Sequence, residues 1–296
     1  MIFHNSDHRR LGTEDAPRVK PALLRTVTLI ASFTLGLALT AALIGHRHAA
    51  PPASATTDAD PITQAPVVAP RAVAHPEFLP PASTYTTLDA APRDMNTGEA
   101  PDGTVVHPQW PVPVYTAPGG PAIAHLPVHE ITTDTWVPVI AREPGWVQVL
   151  LPPRPNGSTG WLSTQDASLV AAQTPVHLEV DTTAFRLSLV RTGGPALATW
   201  TVGVGKRSAP TPLGRTFIMA SITDSKQTYS PVILPLGIHS TSHETFGGGP
   251  GVTALHTWPN EHVFGTRSSD GCIRIPAPAL HRLATEVPIG TPVLIH

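Results

Sequence analysis

Cysteine is almost missing from this 296-residue chain, which has Cys272 and no other. One cysteine cannot close an internal disulfide, so no covalent staple helps to hold the fold. In an exported protein a leftover thiol is a liability unless it is buried or put to use, and both fates are open to Cys272. Charged residues and aromatics are also sparse, at 14% and 5%, with a formal net charge of −2. No basic patch with interleaved aromatics occurs, which argues against a nucleic-acid ligand. The near balance of charge selects no other partner. Proline, by contrast, is plentiful: 35 prolines beside 41% hydrophobic residues describe a chain able to form a core yet interrupted by long extended or turn-rich stretches.

The first 25 residues are polar and carry Arg9, Arg10, Arg18, Lys20 and Arg25, after which residues 26–45 run without a charge. A bilayer is spanned by about 20 apolar residues, whereas the core of a cleaved signal peptide has about 7–15. With its basic flank on the N-terminal side, the run predicts one transmembrane helix, residues 1–25 in the cytoplasm and everything later on the far side of the cell membrane. A long cleavable signal is the alternative, because Ala41-Ala42 and Ala49-Ala50 supply small residues nearby. No cysteine lies directly after the run, which excludes a lipid-modified N-terminal cysteine, and Arg9-Arg10 lies too far from it to read as a twin-arginine signal.

Residues 46–103 are rich in Pro, Ala, Thr and Asp without a sustained apolar period, and predict a linker. About fifty such residues reach ~150 Å if polyproline-like and ~40 Å as a flexible coil. From 104 to 172 the pattern changes to short apolar bursts between turn residues. Strands are predicted over 112–115, 122–126, 135–140, 145–151 and 160–163, with turns at Pro118-Gly119-Gly120 and Pro155-Asn156-Gly157. This reads as a small β-barrel. The pairs Gly145-Trp146 and Gly160-Trp161, with Val114-Tyr115-Thr116-Ala117-Pro118-Gly119-Gly120, resemble bacterial SH3-type domains, and the resemblance implies a module that binds wall peptides. Trp136, Trp146 and Trp161 equally suit a small core.

Residues 175–296 predict a second, mainly β domain. Residues 176–181 and 186–190 alternate as half-buried strands about the turn Asp181-Thr182-Thr183. A helix is predicted over 277–287, with Leu280, Leu283 and Val287 on one face and Pro288 closing it. Leu236-Gly237-Ile238-His239-Ser240 and Phe246-Gly247-Gly248-Gly249-Pro250-Gly251 read as a flexible, glycine-rich lip beside a site. Val252-Thr253-Ala254-Leu255-His256 reads as a strand ending at a histidine, and Cys272 follows sixteen residues later, directly after Gly271. A free thiol has a pKa of about 8.5 and needs a base within reach to act as a nucleophile, for which His256 is the candidate. Gly271, lacking a side chain, lets a carbonyl approach the backbone and lets the N–H groups of 271 and 272 face a developing oxyanion.

Leu255-His256, Gly265, Ser269-Asp270-Gly271-Cys272-Ile273-Arg274 and the closing Gly290-Thr291-Pro292-Val293-Leu294-Ile295 stand in one order, after Thr211-Pro212-Leu213-Gly214-Arg215-Thr216-Phe217. This set resembles the L,D-transpeptidases with a YkuD-type catalytic domain. It departs at two positions: Asp270 stands where the family usually has His, and Thr257 where Gly commonly follows the base. The resemblance implies a mainly β fold, an SH3-like barrel followed by a YkuD-type β-sandwich with one short helix. It also implies Cys272 as nucleophile, His256 as base oriented by the Thr257 carbonyl, and Gly271 in the oxyanion site. Its expected substrates are peptidoglycan stem peptides in the cell wall, its expected inhibitors carbapenems, and it uses no cofactor. Ser269, Asp270, Arg274 and His239 are the candidate substrate contacts, Arg274 being as suited to steadying its loop as to binding a carboxylate. His239, His243, His256, His262 and Cys272 match no standard closed zinc spacing, so no metal is expected. The competing class is a non-catalytic wall-binding protein with a degenerate transpeptidase-like domain, for which Asp270 is the motive.

Overall fold

Alternating apolar residues make short strands the natural unit of this chain. The computed structural model, which describes residues 66–296 apart from 224, 226 and 247, contains one α-helix among them. The apolar run 26–45 lies outside the described residues, and among the described residues no helix is long and apolar enough to cross a membrane.

Seven strands form the first sheet, in the order Ala122–Leu126, Val112–Tyr115, Thr159–Ser163, Trp146–Leu150, Val137–Glu143, Thr104–Pro108, Leu169–Gln173. Every pair is antiparallel. The strand predicted from residue 135 begins at Val137 instead, because the Thr135 N–H is bonded to the Val128 carbonyl in the preceding turn.

A sandwich follows. Its larger sheet runs Ala196–Thr201, Arg186–Arg191, Val176–Asp181, Pro292–Ile295, Gly214–Phe217, and its smaller one Ile233–His239, Val252–His256, Ile273–Arg274. The closing strand pairs parallel with Val176–Asp181, Leu178 opposite Val293 and Val180 opposite Ile295. Leu178, Val180, Leu187, Leu189, Val293 and Ile295 from the first face Leu234, Leu236, Ile238, Leu255 and Ile273 from the second in one core. The helix Ala277–Glu286 closes that core with Ala279, Leu280 and Leu283, and ends ahead of Pro288, which cannot continue it. Residues 236–240 correct the expected flexible lip. They lie in or directly after the strand Ile233–His239, whose Leu234, Leu236 and Ile238 alternate into the core.

The linker expectation is also corrected for its described part. Leu88 N–H bonds to Arg154 O, Arg154 N–H to Thr86 O, Ala82 N–H to His125 O and Asp94 N–H to Gly157 O. Ala82, Leu88 and Ala91 join a second core with Val114, Leu126, Val149, Phe217 and Met219, so that core takes residues from both sheets. Arg215 clamps Asp94 through two bonds, Nε to Oδ2 at 2.8 Å and Nη2 to Oδ1 at 2.6 Å, with both side chains buried. Composition hides this packing because the backbone groups are satisfied one at a time, not as a ladder, so no apolar period marks the segment.

Candidate active site

The strand Val252–His256 positions the histidine and its parallel neighbour Ile273–Arg274 the cysteine loop, in the register Leu255 to Ile273 and His256 to Arg274. Leu255 and Ile273 point into the sandwich core, and side chains alternate along strands. His256 and Arg274 therefore look outward, with Ala254 and Cys272 one alternation before them on the same side.

Four bonds to two hydroxyls shape the turn before Cys272. Ser269 Oγ donates to the Cys272 carbonyl at 2.5 Å and accepts from the Gly271 N–H at 3.2 Å. Thr211 Oγ1, from the Thr-Pro-Leu-Gly segment, donates to Gly271 O and accepts from Gly205 N–H, each at 2.9 Å. Gly271 has φ +114°, and an added Cβ would find no atom nearer than 3.5 Å. The backbone angle, not lack of space, is what requires glycine. The expectation that the Gly271 N–H faces an oxyanion is corrected, since Ser269 Oγ already holds it. Ser269 is likewise buried and engaged in the turn, with no surface for substrate.

His256 is buried, and its Nδ1 lies 2.7 Å from the Thr257 carbonyl oxygen. A carbonyl only accepts, so Nδ1–H is the donor and Nε2 carries the lone pair. Thr257 is itself held at both ends, its N–H on Ser230 Oγ at 3.0 Å and its Oγ1 on Tyr229 O at 2.9 Å. The Tyr229 ring meets the imidazole edge-on at 5.1 Å, and Trp258 lies 6.1 Å from it. Burial pulls the His256 pKa below its ordinary 6.5, opposed by the Thr257 bond and aided by Arg274. Burial pushes the half-buried Cys272 thiol above its ordinary value, opposed by a backbone hydrogen bond from Ala254 and by Arg274, with Asp270 adding to the rise. Both shifts favour neutral partners, so the resting pair is thiol and imidazole, not thiolate and imidazolium.

Asp270 points to a cation and not to the imidazole: Lys206 Nζ is 2.5 Å away and His243 Nε2 is 3.7 Å away. The Lys206 bond holds its carboxyl below the usual range. Arg274 lies over the Trp258 ring at 3.9 Å and donates to the carbonyl and hydroxyl of Ser268, so it both braces the loop and faces the site. His239 corrects the substrate-contact expectation. It is 0% exposed, its Nε2 donates to the Pro152 carbonyl at 2.9 Å, and its backbone is bonded at both ends to the Asn156 amide. It ties the end of the strand Ile233–His239 to the connection between Trp146–Leu150 and Thr159–Ser163. Tyr229, Ser230, Trp258, Lys206 and Thr211 were not anticipated as site residues; of these Trp258, two residues after the histidine, and Thr211, at the head of the Thr-Pro-Leu-Gly segment, carried a local signal.

Residues 175–295 match the family model described as the L,D-transpeptidase catalytic domain, YkuD. No curated protein matches the chain significantly. Among solved structures, it is similar to an L,D-transpeptidase from Mycobacterium smegmatis at 14% identity, over 51% of this chain and 90% of that one, with a TM-score of 0.34. The catalytic domain of an E. faecium L,D-transpeptidase is similar at 23% identity, over 41% and 96%, with a TM-score of 0.32. An L,D-transpeptidase named LdtMt1, solved in complex with imipenem, is similar at 15% identity, over 51% and 91%, with a TM-score of 0.36.

Proposed function

We propose that residues 175–296 act as a cysteine L,D-transpeptidase on peptidoglycan stem peptides. The observation that carries this reading lies inside the segment matched by the family model. There Cys272 follows a positive-φ glycine on the same side of the sheet as a buried His256 whose Nδ1 is committed to a carbonyl. That commitment leaves Nε2 as the only basic atom of the ring and supplies the reason for a base at this position.

In this mechanism the Cys272 sulfur attacks the carbonyl of the third residue of a donor tetrapeptide while its proton passes to His256 Nε2. The tetrahedral oxyanion is met by the Cys272 N–H. Its collapse breaks the bond to the terminal D-alanine, whose amine takes the proton from the imidazolium, and a thioester remains on sulfur. An acceptor amine then attacks the thioester, gives its proton to His256, and the thiol is restored. Because both groups rest neutral, proton transfer accompanies attack instead of preceding it. Arg274, partly desolvated over Trp258, is suited to steady a substrate carboxylate. We place the domain outside the cytoplasmic membrane, tethered by residues 26–45, with the seven-stranded sheet as a wall-peptide-binding module and carbapenems as acylating inhibitors.

Incubating the purified chain with a disaccharide tetrapeptide tests the reaction. The account expects free D-alanine and an enzyme mass raised by the acyl fragment, both lost in Cys272→Ala. Folded protein that gives neither product yet co-sediments with sacculi would support the non-catalytic wall-binding reading instead.

A further inference from the structure

Trp146 and Tyr115 meet edge to face at 5.2 Å on one side of the seven-stranded sheet, and both are buried although they border its surface. What covers them is residues 66–71 of the same chain, Pro66-Val67-Val68-Ala69-Pro70-Arg71, a stretch with no helix or strand of its own. The Trp146 indole N–H donates to the Val68 carbonyl at 2.7 Å, and the Tyr115 hydroxyl to the Arg71 carbonyl at 2.8 Å. Arg71 Nε returns a bond to the Gly119 carbonyl at 2.9 Å. Two turn glycines make room for the segment. A Cβ on Gly145 would sit 2.4 Å from Val67 Cγ1, and one on Gly119 would sit 2.6 Å from Val68 Cγ1.

These contacts read a backbone more than a sequence. The sheet offers one indole and one phenol donor to carbonyls three residues apart, and asks only that two small apolar side chains rest over glycines. The prolines on either side lack N–H groups and restrict the chain in advance, which lowers the entropy lost on docking. The segment is nonetheless loosely seated. Val67 and Val68 remain 46% and 49% exposed, and a cavity of about 370 Å³ stays open beside it, lined by Pro70, Val73, Val112, Tyr115, Gln165 and Asp166. A donor set built for carbonyls, filled by a segment that buries little and leaves space, is the arrangement of a binding groove holding a replaceable ligand.

We propose that this face is a groove for extended, proline-flanked peptides with small apolar side chains, and that residues 66–71 occupy it in cis as a removable strap. The occupant in the resting protein is the chain's own segment, and an external peptide of the same chemistry competes with it. This stands apart from the chemistry at Cys272.

The test uses the full chain in detergent and a fluorescent, end-blocked peptide of residues 64–73, followed by anisotropy. Val67→Asp with Val68→Asp should vacate the groove, and the double variant should bind the peptide at least ten-fold more tightly than the wild-type chain. Adding Trp146→Phe should weaken that binding about ten-fold, or ~1.4 kcal/mol, by removing the indole donor. Equal or absent binding to the wild-type and strap-released chains overturns the proposal. If near-UV dichroism shows that the aspartates disturb the fold, Val67→Gly with Val68→Gly releases the strap without charge and carries the same two outcomes.

Discussion

At Cys272 and His256, burial moves the two pKa values in opposite directions and keeps one proton on sulfur. The thiol is pushed up and the imidazole pulled down. In the proposed mechanism acylation requires neutral His256, and protonating it removes the base. Since burial and Arg274 hold its pKa below 6.5, the acidic limb of the acylation-rate profile should lie below pH 6.5, with a plateau through neutrality. His256→Ala should cost at least about 100-fold in rate, the lower range for losing a general base. A limb above pH 6.5, or an undiminished rate in the variant, would assign the base elsewhere. Asp270 acts more weakly. It is the last of the influences raising the thiol pKa, and Lys206 offsets its charge. Asp270→Asn removes the anion and frees the cation, and both changes favour sulfur losing its proton. A few-fold faster acylation near pH 7 is expected in a stopped-flow assay, whereas slower acylation would mean that Asp270 supports the imidazolium.

Among the elements, the turn Ser269-Asp270-Gly271-Cys272 depends on a residue 60 positions before Gly271, since Thr211 Oγ1 bridges Gly205 N–H and Gly271 O in a buried setting. Thr211→Val keeps the shape but strands both backbone groups. It should lower unfolding free energy by about 1–3 kcal/mol in urea titration and slow acylation. An unchanged rate would show that the turn holds without it. How much of this was legible in sequence follows from the range of the interactions. Val252–His256 ended at its histidine as read, the helix began at Ala277 as read, and the turn after Asp181 was legible because Asp181 Oδ1 caps the N–H groups of Thr183 and Ala184 locally. His239 was misassigned because its partners, Pro152 and Asn156, lie more than 80 residues away and give no local mark. Separation in sequence also hid Lys206 beside Asp270 and Asp94 beside Arg215. Residues 236–240 read as a lip because glycine and proline dilute the apolar alternation of the strand Ile233–His239.

On the scale of the whole described unit, the sandwich and the seven-stranded sheet share a core through Phe217 and Met219, and Ala82, Leu88 and Ala91 of the proline-rich segment complete it. Asp94 and Arg215 lock that segment down with side chains only 2% and 6% exposed. Removing one charge strands the other in a buried site. Asp94→Ala should therefore cost about 3–5 kcal/mol by denaturant titration, and a loss below 1 kcal/mol would show the contact to be dispensable. The site chemistry rests on this frame but not on that ion pair. The central claim, that Cys272 is an activated acyl acceptor, is met most directly by intact-mass spectrometry of the folded chain after exposure to a carbapenem. The account predicts one adduct per chain, mapped by peptide digestion to Cys272 and absent from Cys272→Ala. A folded chain that stays unmodified, or an adduct that persists in Cys272→Ala, would contradict it.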